Sequence, residues 1–202
     1  MSQSKVLADQ LYSGEGVAAD VFRILAANVL LALCAHIVIP LPFTPVPITG
    51  QTFGVLLVAA LLGARRSALA LVLYLLEGLA GLPVFQPLGL PGPAHFLGPT
   101  AGYLVAYPFA ALVTGWLVER GATVRPPRAL KSRSASAPLA GALLGGEAII
   151  FLGGCTWLAF GVHLGWPLAL RAGVLPFIPS EIIKMALIVA LLGGFALTRR
   201  ES

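Results

Sequence analysis

Charge is scarce in this chain. Only 10% of its 202 residues are Asp, Glu, Lys or Arg, while 58% are hydrophobic and the mean hydropathy is +0.92. So little polar surface excludes a soluble domain of this size. Cysteine numbers two: Cys34 and Cys155 fall in outer halves of apolar runs, surroundings that favour two free thiols over a disulfide. The three histidines, His36, His95 and His163, are scattered without ligand spacing, so core or interface positions are expected and no metal site. Enzyme signatures are missing as well. There is no H-E-x-x-H, no glycine-rich phosphate loop, no nucleotide motif and no Ser-Lys or Ser-His pair inside an apolar run. No catalytic residue and no cofactor are expected, and transport or capture of a substrate is the leading class. Residues 1–20 lack the apolar core of a signal peptide and are expected to stay as a short polar cytoplasmic lead.

Long apolar runs are what the chain does have. Several reach the length needed to cross about 30 Å of hydrocarbon, which makes it an all-α integral membrane protein. The pI near 9.7 then reports topology rather than nucleic-acid binding. A single membrane domain, residues 21–198, is expected, with spans near 21–39, 51–62, 67–82, 101–118, 139–160 and 177–197 and a solvated linker at 121–138. Residues 50–82 allow one tilted helix or two short ones. One helix would set Arg65 and Arg66 at the bilayer centre, so a hairpin turning at Gly63-Ala64-Arg65-Arg66 is favoured. With six spans, 11 of the 13 Lys and Arg residues fall on one side, which puts both termini in the cytoplasm.

Two uncharged, proline-rich loops, 40–50 and 83–99, then share the outer side with the start of the last span, where irregular backbone is tolerated when it lines or caps a cavity. A lidded pocket opening outward is expected. At its mouth Pro179-Ser180-Glu181-Ile182-Ile183-Lys184 sets an acid and a base three residues apart, on one helix face, ahead of an uncharged run. Such residues in a membrane helix commonly face a cavity, a partner or a substrate. The plainer reading is a helix start, with Glu181 complementing the dipole and Lys184 pairing with it or reaching the interface. Glu77, beside Tyr74, Gly78 and Gly81, is favoured for the pocket. Glu147, in Gly145-Gly146-Glu147-Ala148, is expected to act as a helix-to-helix hydrogen bond.

The run Ile39-Pro40-Leu41-Pro42-Phe43-Thr44-Pro45-Val46-Pro47-Ile48-Thr49-Gly50-Gln51-Thr52-Phe53 resembles the first loop of the BioY family, the biotin-binding S components of energy-coupling factor transporters. Leu73-Tyr74-Leu75-Leu76-Glu77-Gly78-Leu79-Ala80-Gly81-Leu82-Pro83-Val84-Phe85, then Gly98-Pro99-Thr100-Ala101-Gly102-Tyr103-Leu104, and finally Pro176-Phe177-Ile178-Pro179 with Glu181 and Lys184 resemble later blocks. The family's closing motif usually carries Asp where this chain has Glu181. Its Ala-x-x-x-Ala helix face is bulkier here, at Ala27, Leu31 and Ala35.

This resemblance implies a six-helix, multi-pass subunit of the cytoplasmic (inner) membrane, surrounded by membrane lipid, that captures biotin from outside. Implied partners are a transmembrane coupling protein and a pair of ATPase subunits, or self-association where the module is absent. Glu181 would accept the ureido N–H groups and Lys184 would donate to the ureido carbonyl, or else meet the valerate carboxylate. Phe43, Phe85 and Tyr103 would cover the apolar bicycle, with Gln51, Tyr74 and Glu77 as polar contacts. The alternative is a proton-coupled secondary transporter in which Glu77, Glu147 and Glu181 relay protons.

Overall fold

The computed structural model describes residues 16–124 and 133–198. Helix α1 (Val17–Ala35) starts after Gly16 with Asp20 in its first turn. It stops short of residue 39 because the β-branched stretch beyond His36 becomes extended. Strand β1 (Val38–Ile39) pairs antiparallel with β2 (Ile48–Thr49), Val38 opposite Thr49 and Ile39 opposite Ile48. Loop 40–47 is thereby closed into a tight flap. Gly50, which follows it, donates its N–H to the Ile37 carbonyl at 2.9 Å. A Cβ at Gly50 would stand 2.6 Å from the Cys34 carbonyl oxygen, so only glycine lets the flap return this closely to α1.

Helix α2 (Gln51–Leu79) contains a reversal. Gly63 holds φ 77° and ψ −176°, a conformation open essentially to glycine alone. The Gln51 amide donates to the Tyr74 hydroxyl at 2.8 Å. In a straight helix two residues 23 apart would lie about 35 Å from each other. The element is therefore two antiparallel arms, residues 51–62 and 64–79, and the turn is narrower than the four residues expected. Arg65 and Arg66 belong to the first turn of the second arm. Glu119 supplies that arm's missing cap, accepting the Ala64 N–H at 2.8 Å, as the unsatisfied donors of a helix start require. Asp20 pairs with both Arg23 and Arg66 at 2.9 Å and so fastens the start of α1 to the hairpin tip. Deeper in the bundle, Asn28 donates to the Ala70 carbonyl at 3.0 Å.

Helix α3 (Ala101–Val124) follows a 3-10 turn (Gly92–Leu97), and α4 (Arg133–Thr156) runs on into a π-helical turn (Trp157–Gly161). Helix on both sides thus extends into the stretch expected as a linker, and residues 125–132 lie outside the described residues. Helices α3 and α4 pack backbone to backbone. A Cβ on Gly102 would sit 2.3 Å from Trp157 Cβ, and one on Gly153 would sit 2.6 Å from Ala106 Cβ. Small residues let membrane helices approach this closely. Further along, a Cβ on Gly145 would stand 3.2 Å from Leu117 Cδ1, and Gly146 presses on Thr114. Residues expected as a loop after α4 form helix α5 (Trp166–Gly173), which leads at a 48° bend into α6 (Ile178–Thr198).

Among the described residues four helices are long and apolar enough to cross a bilayer, or five if α5 and α6 count as one broken span. Tyr74, Leu31, Leu56, Leu104, Ile150 and Ile188 fill the interior. Phe22, Val29, Leu33, Phe109, Leu152 and Ile183 face outward, an apolar exterior suited to lipid. Both cysteines are buried and free.

Gly63→Ala forces a side chain into the reversal and is expected to cost about 1–3 kcal/mol. Thermal unfolding of the detergent-purified variant, followed by loss of the monodisperse peak, measures it. An unchanged midpoint would contradict the hairpin.

Candidate functional site

A cleft opens where the flap, α2, α3, α4 and α6 converge, with about 410 Å³ of space between its walls and out into its mouth. Val46, Pro47 and Thr49 of the flap form one wall. Gln51 and Thr52 come from the first arm of α2, Thr100, Tyr103 and Tyr107 from α3 and its approach, and Ile150 and Phe151 from α4. Phe177, Glu181 and Lys184 close it.

The polar end is a ring of three side chains. Lys184 Nζ donates to Glu181 Oε1 at 2.7 Å and to Thr52 Oγ1 at 2.8 Å, and the Thr52 hydroxyl donates to Glu181 Oε2 at 2.8 Å. Two of the three ammonium protons and the hydroxyl proton thus each have an acceptor. The Glu181 side chain is only 5% exposed and that of Lys184 13%. An ion pair this deep persists when geometry is good and the remaining hydrogen-bonding positions are filled, which Thr52 does. The i to i+3 spacing within α6 supplies acid and base. The first arm of α2, returned beside α6 by the fold, supplies the hydroxyl.

Hydroxyl groups also hold the walls. Tyr103 Oη donates to the Gly173 carbonyl at 2.7 Å, and Thr44 Oγ1 to the Ala172 carbonyl at 2.7 Å. Both satisfy carbonyls at the C-terminal end of α5, which has no later turn to bond them. One helix end is thus tied to α3 and to the flap.

Of the residues expected in the site, Glu181, Lys184, Gln51 and Tyr103 line the cleft. Tyr74 lies behind Gln51 and passes its own proton to the Val84 carbonyl at 2.8 Å. Phe85 packs edge-on to Tyr74 at 5.2 Å and against His95 and Phe96, so it supports the wall from outside. Phe43 is 68% exposed on the flap, and Glu77 is half-buried on the second arm; neither borders the cleft. Thr52, Tyr107, Ile150, Phe151 and Phe177 were not anticipated. Thr52 was within reach, as a hydroxyl beside Gln51 at the head of an apolar helix, and Tyr107 lies one turn beyond Tyr103. Glu147 is buried, yet neither of its carboxylate oxygens has a hydrogen-bond partner among the described residues, so the helix-to-helix bond expected of it is absent there.

The loop 83–99 touches the cleft through Thr100, directly after it. His95 is 2% exposed; Nδ1 lies 2.8 Å from the Leu90 carbonyl and Nε2 3.3 Å from Thr100 Oγ1. A neutral ring satisfies both, with Nδ1–H donating to Leu90 and Nε2 accepting from Thr100. The Trp157 indole N–H donates to the Gly98 carbonyl at 2.9 Å and ties the loop to α4. Among the described residues no three His, Cys, Asp or Glu side chains group as metal ligands.

Fold and cleft define a multi-pass, all-α membrane protein with a part-polar cleft held between its helices. The chain belongs to the BioY family, whose sequence profile matches residues 3–200. It is 42% identical over 173 residues to "Biotin transporter BioY" of Rhizobium etli, covering 86% of this chain and 89% of that one. It is 37% identical over 178 residues to "Biotin transporter BioY2" of Lactococcus lactis subsp. cremoris, covering 86% and 90%. The crystal structure of the S-component for biotin from an ECF-type ABC transporter superposes with a TM-score of 0.74 at 26% identity, covering 90% of this chain and 94% of that one.

Burial pushes the His95 imidazole below its ordinary pKa, outweighing the upward pull of its bond to Leu90. The folded value being the lower one, its contribution to stability is complete above the unfolded value of about 6.5 and is lost as pH falls through the folded value. Hydrogen exchange in residues 85–100, corrected for intrinsic rates, is therefore expected to rise on acidification below about pH 6.5. His95→Asn should flatten that rise.

Proposed function

We propose that this chain is the biotin-capturing S component of an energy-coupling factor transporter in the cytoplasmic membrane. The observation that carries the reading is the buried Lys184–Thr52–Glu181 ring at the polar end of a cleft otherwise lined mainly by aromatic and aliphatic side chains. Biotin has the matching chemistry. Its ureido group offers two N–H donors to the Glu181 carboxylate and a carbonyl acceptor to the Lys184 ammonium, and hydrogen bonds to charged groups contribute about 1.5–3 kcal/mol each. Tyr103, Tyr107, Phe151 and Phe177 take the apolar bicycle, and Gln51 adds a polar contact. Tyr74 and Phe85 act from behind the wall, and Phe43 and Glu77 bear on access rather than contact.

Six crossings with both termini inside complete the reading. The arms of α2 are about 18 and 24 Å long, short of a 30 Å core, and cross as a thin hairpin whose Arg65 and Arg66 reach the cytoplasmic headgroups. The chain carries no ATP motif, so a coupling protein and ATPase subunits supply the energy, as in the transporter class of its structural neighbour. That neighbour and the transporter names of the relatives favour this over a proton-coupled carrier.

Titration calorimetry of the detergent-purified protein with biotin, after removal of carried-over ligand, is expected to give nanomolar affinity, about −12 kcal/mol. Lys184→Ala is expected to weaken it from about 30-fold to several thousand-fold, the ~2–5 kcal/mol typical when one partner of a buried pair is removed. No binding by the folded wild-type protein would refute biotin as substrate, and equal affinity in the variant would refute the role of Lys184.

A further inference from the structure

One buried charge-bearing group has no part in the ring. Glu147 of α4 is 4% exposed, and both of its carboxylate oxygens lack a hydrogen-bond partner among the described residues. Buried polar atoms are nearly always satisfied, so a carboxyl group kept in this position calls for a partner in some other state of the molecule. Its direction is readable. Ile150 and Phe151, three and four residues further on and hence on the same helix face, line the cleft, so Glu147 lies one turn below its floor. Its helix packs both against α3, which carries Tyr103 and Tyr107, and against α6, which carries Glu181 and Lys184.

The ring shows why a second acid matters. In the empty cleft each oxygen of Glu181 already accepts a proton, one from Lys184 and one from Thr52. A substrate that brings two N–H donors to this carboxylate competes for those same oxygens. Lys184 has three donors, and an ammonium displaced from its acid cannot stay buried without another negative partner.

Resting on the biotin reading, we infer that Glu147 is a positioning residue that receives Lys184 when substrate takes Glu181. The lysine exchanges one carboxylate for another across the cleft floor, and the empty and loaded states each keep the ammonium paired. Glu147 touches Lys184 rather than substrate in this exchange.

The test is biotin titration and ligand-free thermal unfolding of the wild type, Glu147→Gln and Glu147→Asp. Glu147→Gln keeps the shape and removes the charge. Its affinity is expected to fall at least tenfold while its ligand-free midpoint stays level or rises, and Glu147→Asp is expected to recover most of the affinity. Wild-type affinity in Glu147→Gln overturns the exchange. So does a parallel loss of affinity and ligand-free stability in both variants, the mark of a packing role. If Glu147→Gln does not fold, Glu147→Asp decides: near-wild-type affinity supports the exchange and a loss beyond tenfold overturns it. Absence of biotin binding by the wild type fails the substrate reading itself, and the exchange with it.

Discussion

An ammonium and a carboxylate taken out of water into an apolar bundle are tolerable only while each has its hydrogen bonds filled. In this protein the requirement is met by one threonine. Thr52 accepts from Lys184 and donates to Glu181, and it reaches them from the start of α2 while they stand in the first two turns of α6. The positions of the α2 hairpin and α6 relative to one another are therefore coupled to a single charged ring. Separating them would leave a buried carboxylate oxygen and an ammonium proton without the Thr52 hydroxyl, so the polar end of the cleft is also a structural joint.

The joint is held by groups that neighbouring elements leave unsatisfied. Helix α5 ends with open carbonyls, and the hydroxyls of Tyr103 and Thr44 fill those of Gly173 and Ala172. The second arm of α2 begins with open N–H groups, and Glu119 caps the one at Ala64. In lipid such groups have no water to turn to, so each helix break must be answered from another helix. The short, broken elements around the cleft are consequently stitched to the long ones, which gives irregular backbone a place beside the cleft.

Part of the cleft's lining was legible from residue types and spacing. The acid and base of α6 stand out because charge is so rare in the chain, and Gln51 and Tyr103 lie in runs whose resemblance to a known family is specific. Tyr74 and Phe85 were expected as contacts and stand behind the cleft wall instead, because strand, arm and loop geometry decides which aromatic faces the cleft and which backs it. Phe43 and Glu77 show the same limit: an aromatic residue in a loop and an acid in a span carry no mark of the direction they take. Glu147 read as helix glue because small residues flank it, yet its rotation on α4 turns it toward the cleft floor.

By itself the sequence determined the class, the apolar exterior, the hairpin and the acid-base pair, since these follow from composition, span length, two arginines in the middle of an apolar run and helical spacing. Tertiary structure alone decided that the hairpin turns on Gly63 and brings Gln51 to Tyr74, that Thr52 completes the ring, and that α5 is a helix rather than a loop. The physical reason is common to all three. Each depends on hydrogen bonds between groups distant in the chain, and local periodicity holds no information about which distant donor will meet which open acceptor.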